Sequence, residues 1–203
     1  VLAKDGTIAI TGDVQGYTNV TVQTKKVGLA QDDEAITNNG TIKTGTGNVS
    51  VTAASGKISL QSQNNQESID SAQDATVATT NGTIAIDGNM TAKQDILISS
   101  TTGKVDIGQV DLSANTDITA GRNLTIQTAN STDNSDIVTD GKLIGGGAIS
   151  VTTVKGNINV SGNVQAGTGN AILESTTAGD VTGDSFISST DAGVKLIADG
   201  GAV

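Results

Sequence analysis

The side chains best suited to bind a ligand or a metal ion are acidic and amide groups in three polar stretches of the sequence. The candidate ligand-contacting residues are Asp32, Asp33, Glu34, Asn64, Asn65, Glu67, Asp133, Asn134 and Asp136. Calcium takes several oxygen ligands, so the densest acidic run, Asp32 to Glu34, is the candidate for a calcium site. Its spacing matches neither an EF-hand loop nor the glycine-rich calcium nonapeptide, and we interpret it as a solvated charge run. We predict no cofactor and no resident metal.

Most side chains that enzymes use for catalysis are missing. The chain has no His and no Cys, and Arg122 is its single Arg, so the usual general base, thiol nucleophile and imidazole metal ligand are absent. Carboxylate pairs could still serve a β-helical enzyme that cleaves polysaccharides. Such enzymes line their clefts with aromatic rings that stack on sugars, whereas Tyr17 and Phe186 are the only aromatic residues here. We predict that the protein is not an enzyme.

Charge and hydropathy exclude two further classes of partner. The 21 acidic residues outnumber the 11 basic ones and give a net charge of −10, which repels nucleic acids and anionic lipids. No apolar run approaches the length of a membrane span, so we predict no membrane insertion. The chain opens at Val1 with neither an initiator Met nor a signal peptide. We therefore expect it to be a piece of a longer protein.

Short apolar strands recur from one end of the sequence to the other. The segment SANTDITAGRNLTIQT, residues 113 to 128, alternates apolar and polar residues around a glycine, which is typical of strands with one buried face. Related Gly-x-Ile-x-Ile units, with conservative exchanges, are Gly6–Ile10, Gly47–Val51, Gly56–Leu60, Gly82–Ile86, Gly103–Ile107, Gly147–Val151 and Gly156–Val160. Two or three such strands make a unit of about 20 residues.

This repetition predicts an all-β fold, a right-handed parallel β-helix that occupies residues 1–203 as one domain. An antiparallel sandwich has no reason to repeat one register, whereas each coil of a solenoid presents the same face to its neighbours. About ten coils of about 20 residues, stacked about 4.8 Å apart, would form a rod about 50 Å long. Parallel crossover connections are right-handed. Val, Ile and Leu should form the inner ladders, with glycines at corners that need positive φ.

Three polar excursions, near residues 25–39, 63–81 and 129–140, interrupt the repeat. Each follows a Gln-Thr or Gln-Ser pair after an apolar strand, so we predict that all three leave the rod from one side. Insertions on one face of repeat proteins often carry the binding contacts. The alternative is that they are solvated loops or extra strands beside the rod. Elsewhere, Asn-x-Ser/Thr triplets begin at Asn19, Asn48, Asn89, Asn123, Asn130 and Asn159, about as many as chance predicts.

The repeats resemble a known family. SANTDITAGRNLTI (Ser113–Ile126), GNVSVTAASGKISL and GNINVSGNVQAGTGN are similar to the repeats of filamentous haemagglutinin-type adhesins, large exoproteins exported by two-partner secretion. The resemblance implies a β-helical shaft, secreted or held at the bacterial cell surface, with a role in adhesion, biofilm formation and virulence. It also implies a host-cell receptor, a glycan or a biofilm-matrix component as partner, and an outer-membrane transporter during export. The chain has no Pro, whereas the family's secretion domain carries Asn-Pro motifs, so we expect a shaft or binding region.

Three other functions remain open from the sequence. A shaft that presents the toxin of a contact-dependent inhibition system would have the same repeats. A β-helical phage tail spike or polysaccharide lyase would cleave glycans. A structural filament or matrix protein would associate through the exposed edges of its end coils.

Overall fold

The computed structural model consists of three parallel β-sheets that the chain visits in turn, so that it winds into a β-solenoid. The structure describes residues 1–62, 66–108, 116–130 and 135–203, and all the strands given below lie within these ranges. Sheet A contains β1 (Leu2–Ala3), β4 (Val20–Thr24), β7 (Val49–Ala53), β10 (Ala75–Thr79), β13 (Ile96–Ser100), β16 (Leu124–Thr128), β19 (Ile149–Lys155), β22 (Ala171–Ala178) and β25 (Val194–Ala198).

The other two sheets have eight strands each within the described residues. Sheet B contains β2 (Ile8–Ile10), β5 (Glu34–Asn38), β8 (Lys57–Leu60), β11 (Ile84–Ile86), β14 (Val105–Ile107), β17 (Ile137–Thr139), β20 (Ile158–Val160) and β23 (Val181–Gly183). Sheet C contains β3 (Val14–Gly16), β6 (Ile42–Thr44), β9 (Glu67–Ser71), β12 (Asn89–Ala92), β15 (Ile118–Ala120), β18 (Leu143–Gly145), β21 (Val164–Ala166) and β24 (Ile187–Ser189). No helical segment among the described residues has the length and apolar character needed to cross a membrane.

The solenoid fold predicted from the repeats is confirmed, with longer coils than expected. It makes about eight turns of about 23 residues, rather than ten of 20. The step between paired residues of sheet A varies from 21 residues, Ala75 to Ile96, to 29 residues, Val20 to Val49. The number of residues per coil varies because each coil has three strands and three corners, and the corners differ in length.

Val, Ile and Leu fill the interior, as the sequence predicts. The central inner ladder of sheet A joins Val22, Val51, Val77, Ile98, Ile126, Val151 and Leu173, all at most 1% exposed. Each such side chain stabilises the fold by about 1.5–3 kcal/mol through its removal from water. β-branched residues suit these positions because they pack closely between strands. Both aromatic side chains lie on the surface: Tyr17 is 80% exposed and Phe186 is 66% exposed.

The last inward position of each sheet A strand holds a buried hydroxyl group in most coils. The hydroxyl residues are Thr24, Thr79, Ser100, Thr128, Thr153 and Ser175, and alanine takes the position in β1, β7 and β25, as Ala3, Ala53 and Ala198. Each hydroxyl donates to a backbone carbonyl of the corner between sheets A and B; Ser100 Oγ lies 2.7 Å from the Gly82 oxygen. These hydrogen bonds supply donors for corner carbonyl groups, which lie outside the strand pairing of the sheets.

Corner glycines are required for two different reasons. Gly56 has φ +87°, the left-handed conformation that the sequence argument expected of corners. Gly82 lies outside that region, and a Cβ atom on it would approach the Gly56 carbonyl oxygen of the coil below to 1.9 Å. At Gly82 the corner therefore needs glycine because stacked backbones leave no room for a side chain.

The polar excursions are shorter than predicted, because strands occupy part of each, and the strands that flank them place them at two corners of the coil instead of on one side. The first and third follow β4 and β16 and lie between sheets A and B, whereas the second follows β8 and lies between sheets B and C. Most of residues 63–81 is regular structure, namely β9 and β10. Polar residues on exposed strands and polar residues in loops look alike in sequence.

Candidate functional site

The predicted ligand-contacting residues do not form one site in the described structure. Asn64, Asn65, Asp133 and Asn134 lie outside the described residues. Asp32 and Asp33 lie at the corner between sheets A and B, and Glu34 follows them as the first residue of β5. Asp136 directly precedes β17 at the same corner further along the rod. Glu67 begins β9 on sheet C. The acids thus divide between two sides of the rod.

The three acids of the calcium candidate have three different partners within the chain. Asp32 Oδ1 accepts a hydrogen bond from Thr83 Oγ1 at 2.8 Å. Asp33 Oδ2 accepts one from the Ala30 N–H at 3.0 Å, which closes a turn. Glu34 Oε1 lies 3.5 Å from Lys57 Nζ. Within the described residues no group of three or more acidic side chains is placed to hold a metal ion.

The first polar excursion lies against the rod and contacts the coils that follow it. The Thr83 N–H donates to the Gln31 carbonyl at 3.0 Å, and the Lys57 N–H donates to the Asp33 carbonyl at 2.7 Å. Gln31 Nε2 donates to the Thr102 carbonyl, 71 residues away, at 2.9 Å. These bonds fix the segment across the corners of three successive coils, so part of its polarity serves the stability of the rod.

Asp106 is an acidic residue that the sequence analysis missed. It occupies the middle of β14 between Ala85 and Val138 on the outward side of sheet B. Its partial burial raises the pKa of its carboxyl group; Lys104 and Lys57 oppose that effect, whereas the carboxylates of Asp136 and Asp32 add to it. An acidic residue flanked by apolar neighbours within a short strand is the sequence signal that could have identified it.

The two remaining predicted acids within the described residues also have hydrogen-bond partners in the chain. Glu67 Oε1 accepts a hydrogen bond from Thr91 Oγ1 at 2.9 Å. Asp136 Oδ1 accepts one from the Asn157 N–H at 2.8 Å. Both contacts join one coil to the next, so these acids have structural partners.

A ladder of Asn and Asp side chains lines the corner that leads from sheet C into sheet A. Its members are Asn19, Asn48, Asp74, Asp95, Asn123 and Asn170. In five successive contacts from Asn19 to Asn123, the side-chain Oδ1 accepts the backbone N–H of the equivalent residue in the next coil at 2.9–3.1 Å. Asn170 accepts the Gly193 N–H in the same way at 2.9 Å. The ladder supplies acceptors for N–H groups at the turn.

Within that ladder, Asp95 also pairs with the single arginine. The Arg122 guanidinium holds the pKa of the Asp95 carboxyl group below its usual range, and the hydrogen bond from the Asn123 N–H acts in the same direction. The same contact raises the pKa of Arg122. On sheet C, an ion pair with Asp70 raises the pKa of Lys43.

Corner positions account for the Asn in four of the six Asn-x-Ser/Thr triplets. In the triplets that begin at Asn19, Asn48 and Asn123, the Asn is a ladder residue, the middle residue points inward and the Ser or Thr points outward. The triplet at Asn89 follows the same rule on sheet C, where Asn89 Oδ1 accepts the Asp117 N–H at 2.8 Å. These triplets arise from the alternation of corner, inward and outward positions.

No protein-family model matches this chain, and no curated protein or solved structure matches it.

Proposed function

We propose that this chain is a shaft segment of a secreted or surface-anchored bacterial adhesin, which holds binding surfaces away from the cell and contacts a host-cell receptor, a glycan or a biofilm matrix. The observation that carries the proposal is the continuous stacking of three parallel sheets along the chain. Its backbone hydrogen bonds run along the rod axis, a geometry that resists bending. The repeat resemblance described above supports the same function.

The proposal has two parts, and each is tested separately. Small-angle X-ray scattering of the purified chain should give a rod about 40 Å long, from eight coils spaced about 4.8 Å apart. Beads coated with the folded chain should adhere saturably to epithelial cells or to extracted biofilm matrix. Beads coated with an unrelated acidic protein of similar size serve as the control. Adhesion no greater than that of the control beads would contradict a binding role for this segment.

The adhesin proposal also predicts what the protein does not do. The alternatives of tail spike and lyase require cleavage of a polysaccharide, so incubation with bacterial and plant polysaccharides should release no oligosaccharides. Measurable release of reducing ends would instead support an enzyme. In the secreted parent protein, the segment would meet its outer-membrane transporter only during export.

A further inference from the structure

The outward positions that precede the last buried residue of each sheet A strand carry no charge over six successive coils, from β4 to β19; Lys155 lies beyond them, at the end of β19. We call this surface the sheet A face; it consists of Thr21, Gln23, Ser50, Thr52, Thr76, Ala78, Leu97, Ser99, Thr125, Gln127, Ser150 and Thr152. None of the twelve is buried. Over the same coils the strands of sheet B carry Glu34, Lys57 and Asp106, and those of sheet C carry Lys43, Glu67 and Asp70. In a chain with a net charge of −10, this accessible part of one side is therefore neutral, and it ends at Glu174, the partner of Thr152 on β22.

Most hydroxyl groups of the sheet A face make no hydrogen bond within the described residues. Eight of the twelve residues are Ser or Thr, and within the described chain only Ser99 Oγ has a side-chain hydrogen bond, from Gln127 Nε2 at 3.1 Å. The buried hydroxyl groups of the same strands differ, because each donates to a corner carbonyl. The outward hydroxyls are thus available to an external partner.

An exposed aromatic residue precedes the first strand of the face. Tyr17 lies at the corner that leads into β4, and its side chain is 80% exposed. A ring of this kind presents an apolar surface together with a polar hydroxyl group. A partner that combines many hydroxyl groups with apolar C–H surfaces would suit both the ring and the neighbouring Thr and Ser side chains.

We propose that the sheet A face is the docking surface for a neutral polysaccharide that lies along the rod. Hydroxyl and amide side chains both donate and accept hydrogen bonds, as sugar hydroxyls do. The face repeats about every 4.8 Å, so a chain of sugars can make many weak contacts at once and gain avidity. The protein's net negative charge disfavours acidic polysaccharides. The inference rests on the proposed adhesive function. It assigns the adhesive contact to the sheet A face instead of the polar excursions.

The test is affinity electrophoresis in native gels that contain a neutral polysaccharide: dextran, galactomannan or mixed-linkage β-glucan. Alginate and hyaluronan serve as the acidic comparison. Thr125→Glu places a charge in the middle of the face, and Thr119→Glu places the same charge outward on sheet C, six residues away and similarly half-buried. At least one neutral gel should retard the wild-type chain, Thr125→Glu should weaken retardation at least tenfold, and Thr119→Glu should not. All variants should first show wild-type circular dichroism.

A second variant keeps the test independent of an introduced charge. The double change Thr76→Val and Thr125→Val removes two outward hydroxyl groups and retains β-branching, so it should fold normally and weaken retardation severalfold. Lack of retardation in every neutral gel, retardation by acidic gels alone, or equal retardation of all variants would overturn the proposal. So would self-association that Thr125→Glu abolishes without any glycan binding, because the face would then contact a second copy. Beads coated with Thr125→Glu that still adhere to cells would reject this surface while leaving the adhesin proposal intact.

Discussion

Asp95 and Asn123 lie 28 residues apart in sequence and form one rung of the corner ladder: Asp95 Oδ1 accepts the Asn123 backbone N–H at 3.0 Å and its side-chain amide at 3.1 Å. The same carboxylate pairs with Arg122. One carboxylate thus accepts hydrogen bonds from the backbone and from a side chain at the turn of the following coil. Rungs of this kind connect successive coils independently of the apolar core.

Removal of this rung should destabilise the rod modestly. Asp95→Ala leaves the Asn123 N–H without its side-chain acceptor, and because the site is partly exposed to water, we expect a loss of about 1 kcal/mol in the free energy of unfolding. Asp95→Asn keeps an oxygen acceptor and loses only the charge pair with Arg122, so its loss should be smaller. Urea denaturation followed by circular dichroism measures both. Equal losses would show that the charge, and not the rung, is what matters.

Acid should weaken the contribution of Asp95. Because the pKa of this carboxyl group is lowered in the folded protein, its stabilising effect is present above the unfolded value of about 3.9 and is lost as pH falls through the folded value. The stability difference between the wild type and Asp95→Asn should therefore be constant between pH 5 and 7. It should change below about pH 4. Urea titrations at each pH test this, and a difference that varies above pH 5 would contradict it.

Asp106 should show the opposite pH dependence. Burial raises the pKa of its carboxyl group in the folded protein, so the folded state binds the proton more tightly than the unfolded chain does. The cost of ionising this group is absent below the unfolded pKa of about 3.9 and develops as pH rises through the folded value. Asp106→Asn should thus be more stable than the wild type at pH 7, with the advantage vanishing toward pH 3. A variant less stable at pH 7 would indicate that the carboxylate has a stabilising partner.

The buried hydroxyl positions should be far more sensitive than the outward ones. Ser100 is fully buried; its Oγ donates to the Gly82 carbonyl at 2.7 Å and accepts the Gly103 N–H at 2.8 Å. Ser100→Ala should cost about 2 kcal/mol, because two buried backbone groups lose their partner. The neighbouring Ser99→Ala, on the outward side, should cost less than about 0.5 kcal/mol. Similar midpoints for both variants in thermal unfolding would contradict this distinction.

Corner glycines should divide into two groups by the space around them. Gly82→Ala would bring a Cβ atom to 1.9 Å from the Gly56 carbonyl oxygen, so the coils must move apart, and we expect a loss of at least about 3 kcal/mol. Gly12→Ala meets nothing within 4 Å and should change stability by less than about 0.5 kcal/mol. Comparison of the two variants by urea denaturation isolates the effect of coil stacking from that of replacing glycine.

The sequence by itself determined the fold class and the inner ladders. Runs such as Ile84-Ala85-Ile86 and Leu124-Thr125-Ile126 alternate with period two and recur along the chain, and only parallel stacking lets every coil present the same inward face. That the core is built from aliphatic side chains likewise follows from composition, because the chain has only one Tyr, one Phe and no Trp.

Only the tertiary structure decided which polar residues meet. The coil length varies between 21 and 29 residues, so the partner of a given side chain lies at no fixed distance in sequence. The pairing of Asp32 with Thr83 skips 51 residues, and the excursion after β8 leaves a different corner from the one after β4. The neutral sheet A face appears only when strands from six coils lie side by side. Periodicity fixes whether a residue points inward or outward, but the lengths of the corners set which coil, corner and neighbour it reaches.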